Sequence, residues 1–237
     1  MHHFIFGIYP YIALAVLLVG SIARYERDPF TWKSSSSQLL RRRQLVVGSI
    51  LFHVGVLIIF VGHFFGLLTP IWLLDALHIP HETKQVLAMA VGGVAGVMAL
   101  AGGLMLIHRR LSDPRIRATS NPMDIPILAL ILLQLVLGLS TIIVSAGHLD
   151  GEEMVKFMRW AQGIFTFDPA AASYTRGTSV IFEMHIFLGL TIFVLFPFSR
   201  LVHMLSVPVR FLWRPGYQVV RSRRAAPSQA RMSEVHR

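Results

Sequence analysis

The sequence predicts an all-α integral membrane protein, five transmembrane helices in a single bundle, and three observations carry that prediction. Of the 237 residues, 54% are hydrophobic and only 14% charged, whereas charge makes up about a quarter of an ordinary soluble domain. Five apolar runs reach the roughly 18 residues that read as a bilayer span; they cover residues 4–23, 45–68, 86–107, 125–146 and 179–202. The remaining charges are sorted by segment. Of the 22 Lys and Arg, all but Lys84, Lys156, Arg159 and Arg176 fall within 24–43, 109–117 and 200–237, which alternating spans place on one side.

By the positive-inside rule that side is the cytoplasm, so the N-terminus lies outside and the C-terminus inside. The first run reads as a retained span, because Met1-His2-His3 brings no Lys or Arg and no small-residue cleavage site follows. The formal charge of +10 then reflects topology and attraction to anionic lipid, not nucleic-acid binding. Cysteine is absent, which excludes disulfides, zinc–thiolate sites and protein-ligated iron–sulfur clusters from this chain.

Each connection has its own reading. In the first cytoplasmic loop, Tyr25 and Trp32 suit the aromatic belt, and the serine run 34–37 reads as flexible. The next loop, 69–84, is external and short, and the following cytoplasmic one, 108–117, is compact and basic. The second external segment, 147–178, contains Asp150 and Glu153 at capping-box spacing. Met154, Val155, Phe157, Met158, Trp160 and Ala161 follow at helical intervals. The segment 151–163 is therefore a short amphipathic helix, lying on the outer membrane surface or packed on neighbouring spans. Residues 1–207 form the membrane domain, and 208–237 a basic cytoplasmic tail whose end reads as disordered.

Ionisable residues inside a bilayer are costly and mostly functional. The third and fourth spans have none in their interiors. The second carries His53 and His63, and the fifth carries Glu183, His185, Arg200 and His203. The second span runs outward and the fifth inward, so the natural pairs are His53 with His203 and His63 with His185. Two imidazoles can clamp a haem iron from both sides, which predicts two stacked b-type haems. The spacing within each span, about 15 Å and about 27 Å at helical rise, is unequal. Five whole turns separate His185 from His203, whereas His53 and His63 face differently. Tilt and a kink at Pro197 have to absorb the difference. Gly55, Gly62, Gly66 and Gly189 offer close approach to a macrocycle, or ordinary helix packing. The alternative for the histidines is a set of polar residues bonded between helices, or a proton path. His78, His81, His108 and His148 fall in loops or at span ends, and His2, His3 and His236 are terminal.

Several long stretches resemble the gamma subunit of respiratory nitrate reductase. They are Phe52-His53, Phe60-Val-Gly-His-Phe-Phe-Gly-Leu-Leu-Thr-Pro70 and Leu195-Phe-Pro-Phe-Ser-Arg-Leu-Val-His203, with Thr83-Lys-Gln-Val-Leu-Ala-Met, Arg109-Arg-Leu-Ser-Asp-Pro-Arg-Ile-Arg-Ala-Thr and Trp160-Ala-Gln. The resemblance covers roughly residues 7 to 224. It implies a di-haem cytochrome b in the bacterial inner membrane, bound to an iron–sulfur beta subunit and a molybdenum catalytic alpha subunit. It implies that quinol is oxidised near the outer haem and that nitrate becomes nitrite in the partners. By the same resemblance His63 and His185 hold the outer haem, His53 and His203 the inner one, and Lys84 with Gly62 belongs to the quinol site. Read alone, Lys84 is a snorkelling interfacial lysine. Arg109, Arg110 and Arg200 stand where they can neutralise haem propionates, or simply mark the cytoplasmic side.

Three other readings remain open on the residues. A di-haem anchor of another molybdenum or hydrogenase complex shares the ligation. A proton-coupled transporter using histidine relays predicts no haem spectrum and more buried carboxylates. A structural anchor leaves four costly histidines unexplained.

Overall fold

The five apolar runs fold as five long helices in the computed structural model, which describes residues 1–32 and 39–206. Phe4–Arg27, Arg42–Leu68, His81–Ser112, Asp124–Ser145 and Val180–Phe198 are each long and apolar enough to cross a membrane, and no strand occurs among the described residues. The serine run 34–37 and the tail 208–237 lie outside the described residues. The described bundle is one unit over Met1–His203.

Prolines punctuate the elements. Helix α1 (Tyr9–Arg27) continues from a π-helical turn at Phe4–Ile8 and has Pro10 as its second residue. Helix α2 (Arg42–Leu68) stops before Pro70, and Pro70 in turn starts the short α3 (Ile71–Ala76). Pro80 opens α4 (His81–Ser112), and Pro114 begins the single turn α5 (Pro114–Ala118). Helix α4 outruns its apolar run at both ends, because backbone hydrogen bonding continues into the polar flanks until a proline intervenes. Helices α6 (Asp124–Ser145), α7 (Glu152–Phe165) and α8 (Val180–Leu195) follow.

The spans pack in the order α2, α4, α6, α8, α1. Close approach of α2 and α4 depends on glycine: a Cβ on Gly55 would stand 2.6 Å from the Ala95 carbonyl oxygen and 2.8 Å from the Ala99 Cβ. Small residues at such contacts let backbones meet in the absence of a hydrophobic drive between helices. Helices α2 and α8, by contrast, share no packed interface.

Two local expectations are corrected. Segment 179–202 is not one helix. After Leu195 come 3₁₀ turns at Phe196–Phe198, an extended Ser199 (φ −116°, ψ 178°), and further 3₁₀ turns at Arg200–Ser206. Pro197 supplies no N–H and its ring opposes the preceding turn, so five whole turns between His185 and His203 never form. Of the two placements left open for helix α7 the structure has the packed one, and the correction there concerns how the helix starts. Trp160, Ala161 and Ile164 share a core with Phe6, Ala171 and Ala172, and the Trp160 indole donates to the Phe6 carbonyl at 2.9 Å. Its N-cap is Gly151 at φ 77°, a left-handed position that suits glycine. Asp150 accepts from the Glu152 N–H instead of forming a capping box with Glu153.

Candidate functional site

The gap between α2 and α8 is bridged by two pairs of imidazoles. The rings of His53 and His203 have centroids 6.2 Å apart, and those of His63 and His185 are 6.1 Å apart. The first pair joins the middle of α2 to the 3₁₀ turns after α8, and the second joins the later part of α2 to the start of α8. Among the described residues, both histidines of α2 are exposed. At Gly62 and Gly66 the same helix borders open space, since a Cβ there would meet nothing within 4 Å. Gly55 and Gly189 do not border the gap: the first is locked against α4, the second faces the Gln134 amide.

Three of the four rings are held in the same way. Nδ1 of His53 lies 2.7 Å from the Ser49 carbonyl, Nδ1 of His63 lies 2.9 Å from that of Ile59, and Nδ1 of His203 bonds the Arg200 carbonyl. A carbonyl only accepts, so each Nδ1 carries the proton and each Nε2 keeps its lone pair. That is the tautomer in which imidazole ligates a metal. His185 differs. Its Nδ1 is buried without a partner, and its Nε2 lies 3.4 Å from the Gln134 amide, which also donates to the His185 carbonyl at 3.0 Å. Gly138 makes the room for this ring, since a Cβ there would stand 3.0 Å from its Cε1.

At the end of α2, side chains from α4 and α7 satisfy the last carbonyls. Lys84 Nζ donates to the Gly66 carbonyl at 2.9 Å and approaches the Met158 sulfur at 3.4 Å. The Gln162 amide donates to the carbonyls of Leu67 and Thr69 at 3.0 and 2.9 Å. Lys84 therefore points back to the helix that carries His63, one turn beyond that ring. At the opposite end, the buried Asp124 carboxylate receives Arg110 at 3.0 Å and Arg200 at 3.4 Å. Arg109 is buried and donates to the Leu40 carbonyl at 2.6 Å. Of the other described histidines, His81 meets Asp75 at 3.2 Å, and His108 meets Gln44 at 3.2 Å.

Residues 2–223 match the family model described as the nitrate reductase gamma subunit. The chain belongs to the nitrate reductase gamma subunit family. It is 52% identical over 223 residues to the respiratory nitrate reductase 1 gamma chain of Escherichia coli K12, spanning 94% of this chain and 98% of that one. It is 49% identical to the respiratory nitrate reductase 2 gamma chain of the same strain, over 93% of this chain and 97% of that one. The nitrate reductase gamma chain of Bacillus subtilis is 37% identical, over 92% and 97% of the two chains.

Three polar residues of this gamma subunit are passed over when only ionisable groups inside spans are sought. Gln134 carries no charge, although an amide within an apolar run was a usable signal. Asp124 sits at the edge of its run, where a carboxylate reads as a helix-start residue. Arg24 reads as a topology marker. Only the fold shows it donating to the Pro197 and Ser199 carbonyls, both at 2.7 Å.

Proposed function

We propose that this gamma subunit is the membrane electron-transfer subunit of a respiratory nitrate reductase. It oxidises quinol near the outer face of the bacterial inner membrane and passes electrons through two b-type haems to partner subunits. In those partners, an iron–sulfur beta and a molybdenum alpha subunit, nitrate is reduced to nitrite during anaerobic respiration. The observation that carries the reading is the pair of facing imidazoles at each of two levels of the gap between α2 and α8.

The donors fit haem better than a bare ion. Among the described residues no three His, Cys, Asp or Glu come together as a metal cage. Two donors at each level suit an iron that arrives already chelated in its equatorial plane. The ring centres of the two pairs stand 6.2 and 6.1 Å apart, a separation that would admit one metal atom between two imidazoles. Bound there, haem supplies a reversible one-electron carrier. In the chain, His53 and His203 would hold the inner haem, and His63 and His185 the outer. The chain also supplies the carbonyls that orient three of those rings.

Other residues take roles that the same reading suggests. Arg110 and Arg200 bring one more positive charge than Asp124 cancels, which suits haem propionates on the inner side. Lys84 and the open backbone at Gly62 form the quinol site. Moving an electron against a membrane potential costs about 2.3 kcal/mol per 100 mV, which favours fixed carriers at two depths over one.

The test is a reduced-minus-oxidised spectrum of the complex purified from membranes, with haem quantified per gamma chain. Two b-type haems in the parent, the outer one lost in His63→Ala and the inner one in His53→Ala, is the expected result. A well-folded, haem-supplied protein with no b-type spectrum sinks the reading and puts a proton-relay transporter ahead.

A further inference from the structure

We infer that Arg24 is a positioning residue for the inner histidine pair: from α1 it fixes the break in the fifth span that carries His203 to His53. The inference rests on the haem reading above and deepens it.

The argument starts with the break itself. Ending α8 at Leu195 and passing through an extended Ser199 leaves backbone carbonyls without helical partners at the end of the fifth span. Lipid offers them no donor, so a non-helical stretch persists there only where protein groups satisfy it. Arg24 does this. One guanidinium nitrogen donates to both the Pro197 and Ser199 carbonyls at 2.7 Å. The other nitrogens are held by Thr31, with Nη2 at 3.1 Å from its carbonyl and Nε at 3.4 Å from its hydroxyl. The turn Pro29–Thr31 follows directly on α1, so the planar fork is fixed on both edges.

Gly20, one turn earlier on α1, shapes the same contact. A Cβ there would stand 2.8 Å from Cγ of Pro197, so the proline ring lies directly on the helix. Beyond the clamp, the buried Ser199 hydroxyl donates to the Phe196 carbonyl at 3.0 Å and accepts from the Leu201 N–H at 3.2 Å. That bond starts the 3₁₀ turns in which Nδ1 of His203 meets the Arg200 carbonyl. Each link is short and satisfied, and together they connect α1 to the His203 ring. Arg24 touches neither imidazole, and so it acts through the backbone. No comparable clamp is needed at His185, which sits within regular helix.

The experiment uses the full complex with its partner subunits, purified from membranes, in the parent and in Arg24→Gln, Arg24→Lys and Tyr9→Phe forms. Haem per gamma chain is measured, and the two b-type signals are followed by redox titration and low-temperature electron paramagnetic resonance. The signals are assigned beforehand with His53→Ala and His63→Ala. Arg24→Gln is expected to lose inner-haem retention by about 10-fold or more, or to shift that signal alone, while the outer signal stays. Arg24→Lys is expected to fall between, because an ammonium keeps the charge but cannot hold Thr31 and both carbonyls. Tyr9→Phe removes an α1–α8 bond to Thr191 away from the break and is expected to leave the inner signal as in the parent. Parental amounts and potentials of both signals in Arg24→Gln overturn the inference. Should that variant fail to accumulate, Gly20→Ala displaces the Pro197 ring while leaving the guanidinium in place. A selective change in the inner signal then supports the clamp, and two parental signals refute it. A parent without b-type haem removes the haem reading and this inference with it, and that outcome is visible before any variant is compared.

Discussion

At the scale of single residues, the gap between α2 and α8 is organised by which nitrogen each imidazole keeps free. Carbonyls take the Nδ1 proton of His53, His63 and His203, so Nε2 is the donor without any charged partner in the bilayer. The four histidines were legible in the sequence because ionisable groups in apolar runs are rare. Their tautomers were not, because they depend on how the rings turn. Lys84 follows the same logic: its ammonium is spent on the Gly66 carbonyl and stays beside the His63 turn. Lys84→Ala is expected to lower quinol-driven nitrate reduction about 10-fold or more, the scale of removing one well-placed hydrogen-bond donor, while haem content stays parental. Unchanged turnover with quinol removes Lys84 from the site. Asp124 balances the charge of Arg200, whose carbonyl holds the His203 ring. Asp124→Asn leaves Arg110 and Arg200 with a larger positive excess, which stabilises the more electron-rich ferrous state and so raises the inner-haem potential. Because one partner of a buried ion network is removed, stability is expected to drop by about 3–5 kcal/mol. Redox titration of the solubilised complex checks the sign, and a lowered inner potential rules this role out.

At the scale of elements, apolar length placed all five spans, and prolines placed most of their ends. What length and composition could not place was the discontinuity after Leu195, because Pro197 is compatible with a kinked helix as well as with a break. The choice is made by α1, whose Gly20 and Arg24 meet the broken segment. Helix α7 is a similar case. Its amphipathic pattern fits a surface helix and a packed one equally, and the indole of Trp160 on Phe6 and the amide of Gln162 on the end of α2 decide for packing. The α2–α4 contact offers a direct test. A valine at Gly55 would drive its Cβ into the backbone of Ala95 and Ala99, and overpacking of this kind costs about 1–3 kcal/mol. Gly55→Val is therefore expected to lower the thermal midpoint of the detergent-solubilised protein, whereas Gly92→Ala, which meets nothing within 4 Å, is not. Equal midpoints for the two variants contradict the packing.

At the scale of the whole molecule, the spans form an open sequence of contacts, α2 to α4 to α6 to α8 to α1, in which α2 and α8 stay apart. Pairwise reasoning from charge and hydropathy cannot give that order, since every span is apolar and nothing in composition says which neighbours touch. Only the histidines singled out α2 and α8 as facing one another. The sidedness of this arrangement is a separate matter, and charge alone predicts it: Arg24, Arg27, Arg41, Arg42 and Arg43, with Arg109, Arg110, Arg115 and Arg117, lie at the same ends of alternating spans. The chain has no cysteine, so a single introduced thiol reports its own side without background. In intact spheroplasts, His148→Cys, after α6, is expected to react with a membrane-impermeant maleimide, and Ser112→Cys, at the end of α4, only after the membrane is opened. The reverse pattern would invert the bundle, put the His63–His185 pair on the cytoplasmic side, and leave the proposed quinol-to-nitrate direction of electron flow without a structural basis.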